Sequence, residues 1–125
     1  MRYVAGVDSV HTAASVCDYL QERLSENDEL VVVAVDEDGS RDAADAANVV
    51  QVRLLDGTIR VETRAGDPGD EIQDVAISED ATEVVIGAHR GAPGCGPAVG
   101  DTARRLLREL DRPVVVVPVP ELAPE

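Results

Sequence analysis

Residues 87–102 contain the residue types best suited to bind an anionic ligand. Residues 89–100 alone include four glycines and two prolines. Because glycine has no side chain, it lets a ligand approach the backbone closely. A helix that begins near residue 101 would add free N–H groups and the positive end of its dipole, and both attract phosphate. The segment therefore predicts a site for a phosphate-bearing ligand.

Further residues are predicted to meet this segment at one edge of a sheet. Asp8 follows the first valine-rich run of the chain, and Val35 ends the second. In an open parallel sheet, ligands bind beyond the carboxyl ends of the strands, at the point where the strand order reverses. We therefore expect Asp8 and Val35 to lie beside residues 87–102.

The same residues do not form a recognisable catalytic set. His89 and Cys95 lie in the glycine-rich segment, but the sequence places no partner carboxylate or base beside them. No serine–histidine–aspartate arrangement and no paired carboxylates can be argued from the spacing, and no Cys-x-x-Cys motif suggests a metal. We predict a binding site without catalytic or metal-ligating residues.

The composition excludes several classes of function. All eleven basic residues are arginine, so mechanisms that need a lysine are ruled out. The net charge is −14, and aromatic residues are only 2% of the chain. An acidic surface repels nucleic-acid phosphates and anionic lipids, and few aromatic rings are present to stack on bases. We predict no nucleic-acid or membrane partner, and a location in the high-salt cytoplasm of a halophilic archaeon.

The hydrophobic pattern alternates short valine-rich runs with amphipathic stretches. Such alternation predicts an α/β fold whose parallel sheet carries helices on both faces, within a single domain spanning residues 1–125. The predicted strands span residues 2–7, 29–35, 58–64, 83–88 and 114–117. The predicted helices span residues 12–24, 41–55 and 101–110, with one more that starts at Asp67-Pro68.

Local signals refine these helices. Ser9 or Thr12 is expected to cap the first helix, and Asp67 is expected to cap the third, with Pro68 in its first turn. In the last helix, the spacing of the apolar residues predicts four inward side chains. These are Ala103, Leu106, Leu107 and Leu110.

Several motifs in this order resemble the universal stress protein family over nearly the whole chain. They are VDS at 7–9, VVVAV at 31–35, GDP at 66–68, VVIGAHRG at 84–91, the glycine at 100 and RPVVVVP at 112–118. The resemblance implies a Rossmann-like five-stranded sheet in the order 3-2-1-4-5. It also implies a homodimer formed through the fifth strand, Val114–Val117, which the apolar edge of that strand independently favours.

Members of the family that bind ATP resemble the pattern G-x2-G-x9-G-[S/T], and this chain meets it in part. Gly87 and Gly100 match the first and third glycines. Arg90 occupies the second glycine position, and the glycine comes one residue later, at Gly91. A side chain at position 90 can crowd a backbone that must contact phosphates, whereas its positive charge can instead attract them.

The last position of the pattern also differs from the family. Asp101 stands where the family has serine or threonine, and Thr102 follows it. An aspartate there adds negative charge beside the expected phosphates. A structural role competes with this interpretation, because aspartate is a common helix N-cap.

The resemblance also implies nucleotide contacts by Asp8 and by the backbone of Val35. Each has a structural alternative, since Asp8 could cap the first helix and Val35 could simply belong to the core. The sequence thus predicts a stress-response protein that binds ATP or a related adenine nucleotide and dimerises. The alternatives are a nucleotide-free module for dimerisation and contact with an unidentified protein, and an ATPase of low activity.

The acidic composition generates a test of the predicted high-salt environment. Because salt screens the repulsion within a chain of charge −14, the melting temperature should rise as KCl increases from low to molar concentration. Circular dichroism at a series of KCl concentrations measures it. A melting temperature that does not change across the series would contradict the halophile prediction.

Overall fold

The fold is a five-stranded parallel sheet covered by helices on both faces. It is described by a computed structural model that covers residues 1–36, 39, 41–53, 57–88 and 100–119. The strands are β1 (Arg2–Val7), β2 (Glu29–Asp36), β3 (Thr58–Ala65), β4 (Glu83–Gly87) and β5 (Val114–Val117). The helices are α1 (Val10–Gln21), α2 (Asp42–Arg53), α3 (Pro68–Ser78) and α4 (Asp101–Glu109).

The strand order is β3-β2-β1-β4-β5, and each neighbouring pair is parallel. This confirms the predicted α/β class and the order that the family resemblance implied. β1 lies in the centre, and the valine-rich β2 lies beside it, buried on both faces. β3 forms one edge, and its side chains alternate between exposed and half-buried, as predicted for an edge strand, with one interruption where Val61 and Glu62 are both half-buried.

The two faces of the sheet carry separate apolar cores. Alternate residues of each strand point to opposite faces, so Val32 and Ala34 pack against α1 and α2. Val31 and Val33 pack on the other face, against α3 and α4. In the part of the chain that the structure describes, no helix is long and apolar enough to cross a membrane.

The first helix starts earlier than predicted, because its cap is Ser9 and not Thr12. The Ser9 backbone is extended, with φ −151°, and its side chain accepts a hydrogen bond from the Thr12 N–H. The Thr12 hydroxyl accepts in return from the Ser9 N–H, which completes a capping box. The predicted end was also wrong, since α1 ends at Gln21 and Leu24 is buried outside the helix.

The start of α3 follows the prediction. Asp67 is its N-cap and accepts a hydrogen bond from the Asp70 N–H at 3.0 Å, with Pro68 in the first turn. Proline suits this position because its missing N–H would have no acceptor within the helix. α2 is a helix, as predicted, although its sequence is also strand-like.

The last helix corrects two predictions. Gly100 is the N-cap of α4, so Asp101 is the first helical residue and does not cap the helix. Ala103 and Leu106 are buried and Leu110 is half-buried, but Leu107 is 51% exposed. Because α4 contributes a narrow face to the core, its apolar spacing predicted one inward residue too many.

This difference between adjacent leucines is testable. Leu106→Ala should lower the free energy of unfolding by about 2–5 kcal/mol, because it removes a fully buried side chain and leaves a cavity. Leu107→Ala is the matched control and should change it by less than about 0.5 kcal/mol. Chemical denaturation measures both, and equal losses would contradict the orientation of α4.

Candidate functional site

A cavity of about 300 Å³ opens beyond the carboxyl ends of β1 and β4. These two strands are neighbours at the point where the strand order reverses, which is where open α/β sheets bind ligands. The volume lies at the lower end of the range of small-molecule sites. Its lining consists of Gly6, Val7, Asp8, Thr12, Val35, Pro68, Ile72, Ile86, Gly87, Ala88, Gly100, Asp101, Thr102 and Ala103.

The floor of the cavity depends on a close contact between β1 and α3. A Cβ atom built on Gly6 would lie 2.8 Å from Ile72 Cγ1, which is closer than real Cβ atoms come. The absence of a side chain at Gly6 therefore lets Ile72 pack directly over β1. Together with Val35 and Ile86, Ile72 gives the cavity an apolar inner wall.

Thr12 holds the turn between β1 and α1 at the edge of the cavity. Its hydroxyl oxygen accepts hydrogen bonds from the backbone N–H groups of Asp8, at 3.1 Å, and Ser9, at 3.0 Å. The hydroxyl can also donate a hydrogen bond to the Asp8 carboxylate oxygen Oδ1, which lies 3.1 Å from the hydroxyl oxygen. Thr12 is only 3% exposed, so this buried hydroxyl orients Asp8 toward its place in the lining. The alternative that Asp8 caps α1 was wrong, because Ser9 does so.

The first turn of α4 forms the opposite wall. Asp101, Thr102 and Ala103 line the cavity, and Gly100 supplies no side-chain oxygen to cap them. The first N–H groups of an α-helix have no acceptor within the helix. The Gly100 N–H donates to the Ala88 carbonyl at 2.6 Å, which joins the start of α4 to the end of β4. The wall therefore presents backbone donors and a positive helix end.

The Asp101 carboxylate is exposed to solvent, although Asp101 lines the cavity. Its side chain is fully exposed and lies 3.3 Å from Arg104, one turn along the helix. Solvent and the guanidinium of Arg104 both screen its charge. Asp101 therefore opposes a phosphate at the start of α4 less than its position in the sequence suggested.

Six of the predicted binding residues surround this one cavity: Asp8, Val35, Gly87, Gly100, Asp101 and Thr102. Their contacts with a ligand stay a prediction. Arg90 and Gly91, like His89 and Cys95, lie outside the described residues.

Sequence reasoning missed several residues of the lining, above all Gly6, Thr12, Pro68 and Ile72. Thr12 had a usable signal, because its spacing of three from Ser9 fits a capping box. The contribution of Ile72 had none, because it depends on how α3 crosses β1.

The cavity and the sheet together define a Rossmann-like α/β domain with a ligand-sized site at the reversal of strand order. The model of the universal stress protein family matches residues 51–118, and the chain belongs to this family. No functionally curated protein matches the sequence significantly.

Solved structures of universal stress proteins share the fold. UspA from Lactobacillus plantarum has a TM-score of 0.68 at 18% identity, over 94% of this chain and 97% of that one. A universal stress protein in complex with cAMP has a TM-score of 0.68 at 20% identity, over 96% of this chain and 98% of that one. The Archaeoglobus fulgidus protein in complex with dAMP has a TM-score of 0.57 at 20% identity, over 94% and 97%.

Proposed function

We propose that this protein binds an adenine nucleotide in the cavity between β1 and β4 and acts in the stress response through that binding. The observation that carries the proposal is the cavity itself, which combines an apolar inner wall with the uncapped start of α4. Universal stress proteins of the same fold form complexes with cAMP and dAMP. Both ligands combine an adenine ring, which suits the apolar wall, with one phosphate, which suits the start of α4.

The two walls suit the two ends of such a ligand. Val35, Ile72 and Ile86 are nearly buried and form an apolar floor on which a flat base can rest, and Val35 lies one residue before the end of β2. The N–H groups at the start of α4 are suited to a phosphate, since the helix dipole favours negative charge there. The base is therefore placed toward β2 and the phosphate toward α4.

Binding without turnover is the activity that we assign. The polar side chains in the described part of the lining are Asp8, Thr12, Asp101 and Thr102. Thr12 already engages the turn after β1, and Asp101 pairs with Arg104 in solvent. The one hydroxyl with a carboxylate beside it, Thr12 next to Asp8, is buried and already held by the turn, so we assign it no chemical step. Release of phosphate from ATP during the binding experiment would instead support the ATPase alternative.

Thr102→Glu tests the site. Residue 102 lies in the first turn of α4 and lines the cavity, so a glutamate there adds bulk and negative charge at the proposed phosphate position. We expect AMP and ATP affinity to fall at least about tenfold in calorimetric titrations. A glutamate in the first turn of a helix interacts favourably with the dipole, so the fold should remain stable.

Leu107→Glu is the matched control, because it adds the same charge to an exposed position on the same helix. It should leave both affinities within about twofold of the wild type. If Thr102→Glu and the wild type bind nucleotide equally, the cavity is not the site. If the wild type binds no adenine nucleotide at all, the nucleotide-free alternative replaces our proposal.

We also propose that β5 joins two copies of the chain. β5 pairs with β4 on one side only, and within the described residues no strand pairs with its other edge. Its first three valines, Val114, Val115 and Val116, are half-buried although they lie on an edge strand. An apolar edge of this kind favours pairing with a second chain. A two-fold axis beside β5 would pair the strand with its own copy.

Lysine substitutions test this interface. Val115→Lys and Val116→Lys place a charge on opposite faces of β5, and each should shift the protein from dimer toward monomer in light scattering at high salt. Val52→Lys on α2 is the matched control, because Val52 is 78% exposed and far along the chain from β5. A wild-type protein that is already monomeric would contradict the proposed dimer.

A further inference from the structure

One guanidinium connects α3 and α4, two helices that both line the cavity. Arg105 of α4 donates to Asp67 Oδ2, the N-cap of α3, at 2.6 Å, and to Glu109 Oε2 at 2.7 Å. It also pairs with the Asp70 carboxylate in the first turn of α3. Asp67 and Asp70 lie 38 and 35 residues before Arg105 in the chain, so this contact exists only in the folded protein.

The backbone of α3 is shaped to receive this side chain. A Cβ atom built on Gly69 would lie 2.9 Å from Arg105 Nη1 and 3.1 Å from its Cδ. Gly69 is buried, and its missing side chain lets the guanidinium lie directly on the first turn of α3. Arg105 thus packs against the backbone of α3, with its side chain 32% exposed.

The short helix α4 needs such an attachment. Among its nine residues, only Ala103 and Leu106 are buried. Few apolar contacts therefore fix the orientation of its first turn, where Asp101, Thr102 and Ala103 line the cavity. A second polar link reinforces the first, because Gln73 of α3 donates to Glu109 at 2.6 Å.

The network also controls the charge beside the proposed phosphate position. Asp67 immediately precedes Pro68, which lines the cavity, and Asp70 follows two residues later. Arg105 contacts Asp67, Asp70 and Glu109 together. Its guanidinium also holds the pKa of the Glu109 carboxyl below its usual value, with help from the Gln73 amide. The positive charge of Arg105 thus offsets Asp67 and Asp70, which would otherwise repel an anionic ligand, whereas Glu109 lies at the far end of α4.

We propose that Arg105 is a positioning residue for the nucleotide: it anchors the first turn of α4 to α3 and neutralises the carboxylates beside the phosphate end of the cavity. This inference rests on the proposed function. It adds that the affinity for a phosphate-bearing ligand depends on a residue that does not line the cavity. The expected consequence is an affinity loss graded by the charge of the ligand.

Arg105→Gln provides the test, with adenosine, AMP and ATP as probes in calorimetric titrations. The titrations use the lowest KCl concentration at which each variant remains folded by circular dichroism, and a second, molar concentration. We expect ATP affinity to fall about fivefold to tenfold, AMP affinity about twofold to threefold, and adenosine affinity to stay unchanged. Molar KCl should shrink these losses because salt screens the repulsion.

Two further variants separate charge from general destabilisation. Arg53→Gln is the matched control, because Arg53 also joins two helices through an aspartate, Asp18 of α1 at 2.9 Å, but on the other face of the sheet. It should leave all three affinities unchanged. Adding Asp70→Asn to Arg105→Gln restores the net charge to −14 and should recover part of the ATP affinity.

The outcomes distinguish this inference from the function on which it rests. A wild type that binds none of the three probes overturns both. A wild type that binds AMP or ATP, with an Arg105→Gln variant of equal affinity, overturns only the role of Arg105. An equal loss for adenosine, AMP and ATP, without recovery by Asp70→Asn, also overturns it, because that pattern reports a distorted cavity and not an electrostatic effect.

Discussion

The strand order reverses between β1 and β4, and the rest of the site depends on this geometry. The chain leaves β1 into α1 on one face of the sheet, while α4, which follows β4 in sequence, packs on the other face. Neither helix can cover the ends of both strands, so a cavity remains between them. Gly6 shapes the floor of this cavity, because its missing side chain lets Ile72 lie directly over β1.

Three helices begin around this cavity, and their caps differ in a way that determines where an anion is favoured. The Ser9 side chain accepts a hydrogen bond from one N–H group at the start of α1, and the Asp67 side chain does so for α3. Gly100 has no side chain to do this for α4, and within the described residues no side-chain cap replaces it. On our proposal, this difference lets a chain of charge −14 bind a phosphate at the start of α4. In the role that we propose, Arg105 supports that site by balancing Asp67 and Asp70 at the start of α3.

Features encoded in a few neighbouring residues could be predicted from the sequence. The apolar run of β2 indicated a strand covered on both faces, and Asp67-Pro68 marked the start of α3. The glycines at 87 and 100 indicated the edge of the sheet where the cavity lies. The two candidate caps of α1 could not be separated from the sequence. Ser9 and Thr12 are both good N-cap residues, and only the backbone conformation selects Ser9.

Features that depend on contacts between distant segments could not be predicted. The exposure of Leu107 follows from how α4 is rotated against the sheet, which its own spacing does not specify. The place of Ile72 in the cavity depends on a glycine in β1, more than sixty residues earlier. The partners of Arg105 in α3 became apparent only from the fold, because they lie 35 and 38 residues earlier in the chain.

The most direct test of the central claim is an amide chemical-shift titration of ¹⁵N-labelled protein with AMP in molar KCl. The account predicts the largest shifts at Asp8, Gly87, Asp101, Thr102 and Ala103, which surround the cavity, and small shifts in α2 on the far side of the sheet. Shifts concentrated in α2 or β5, with those residues unchanged, would contradict it.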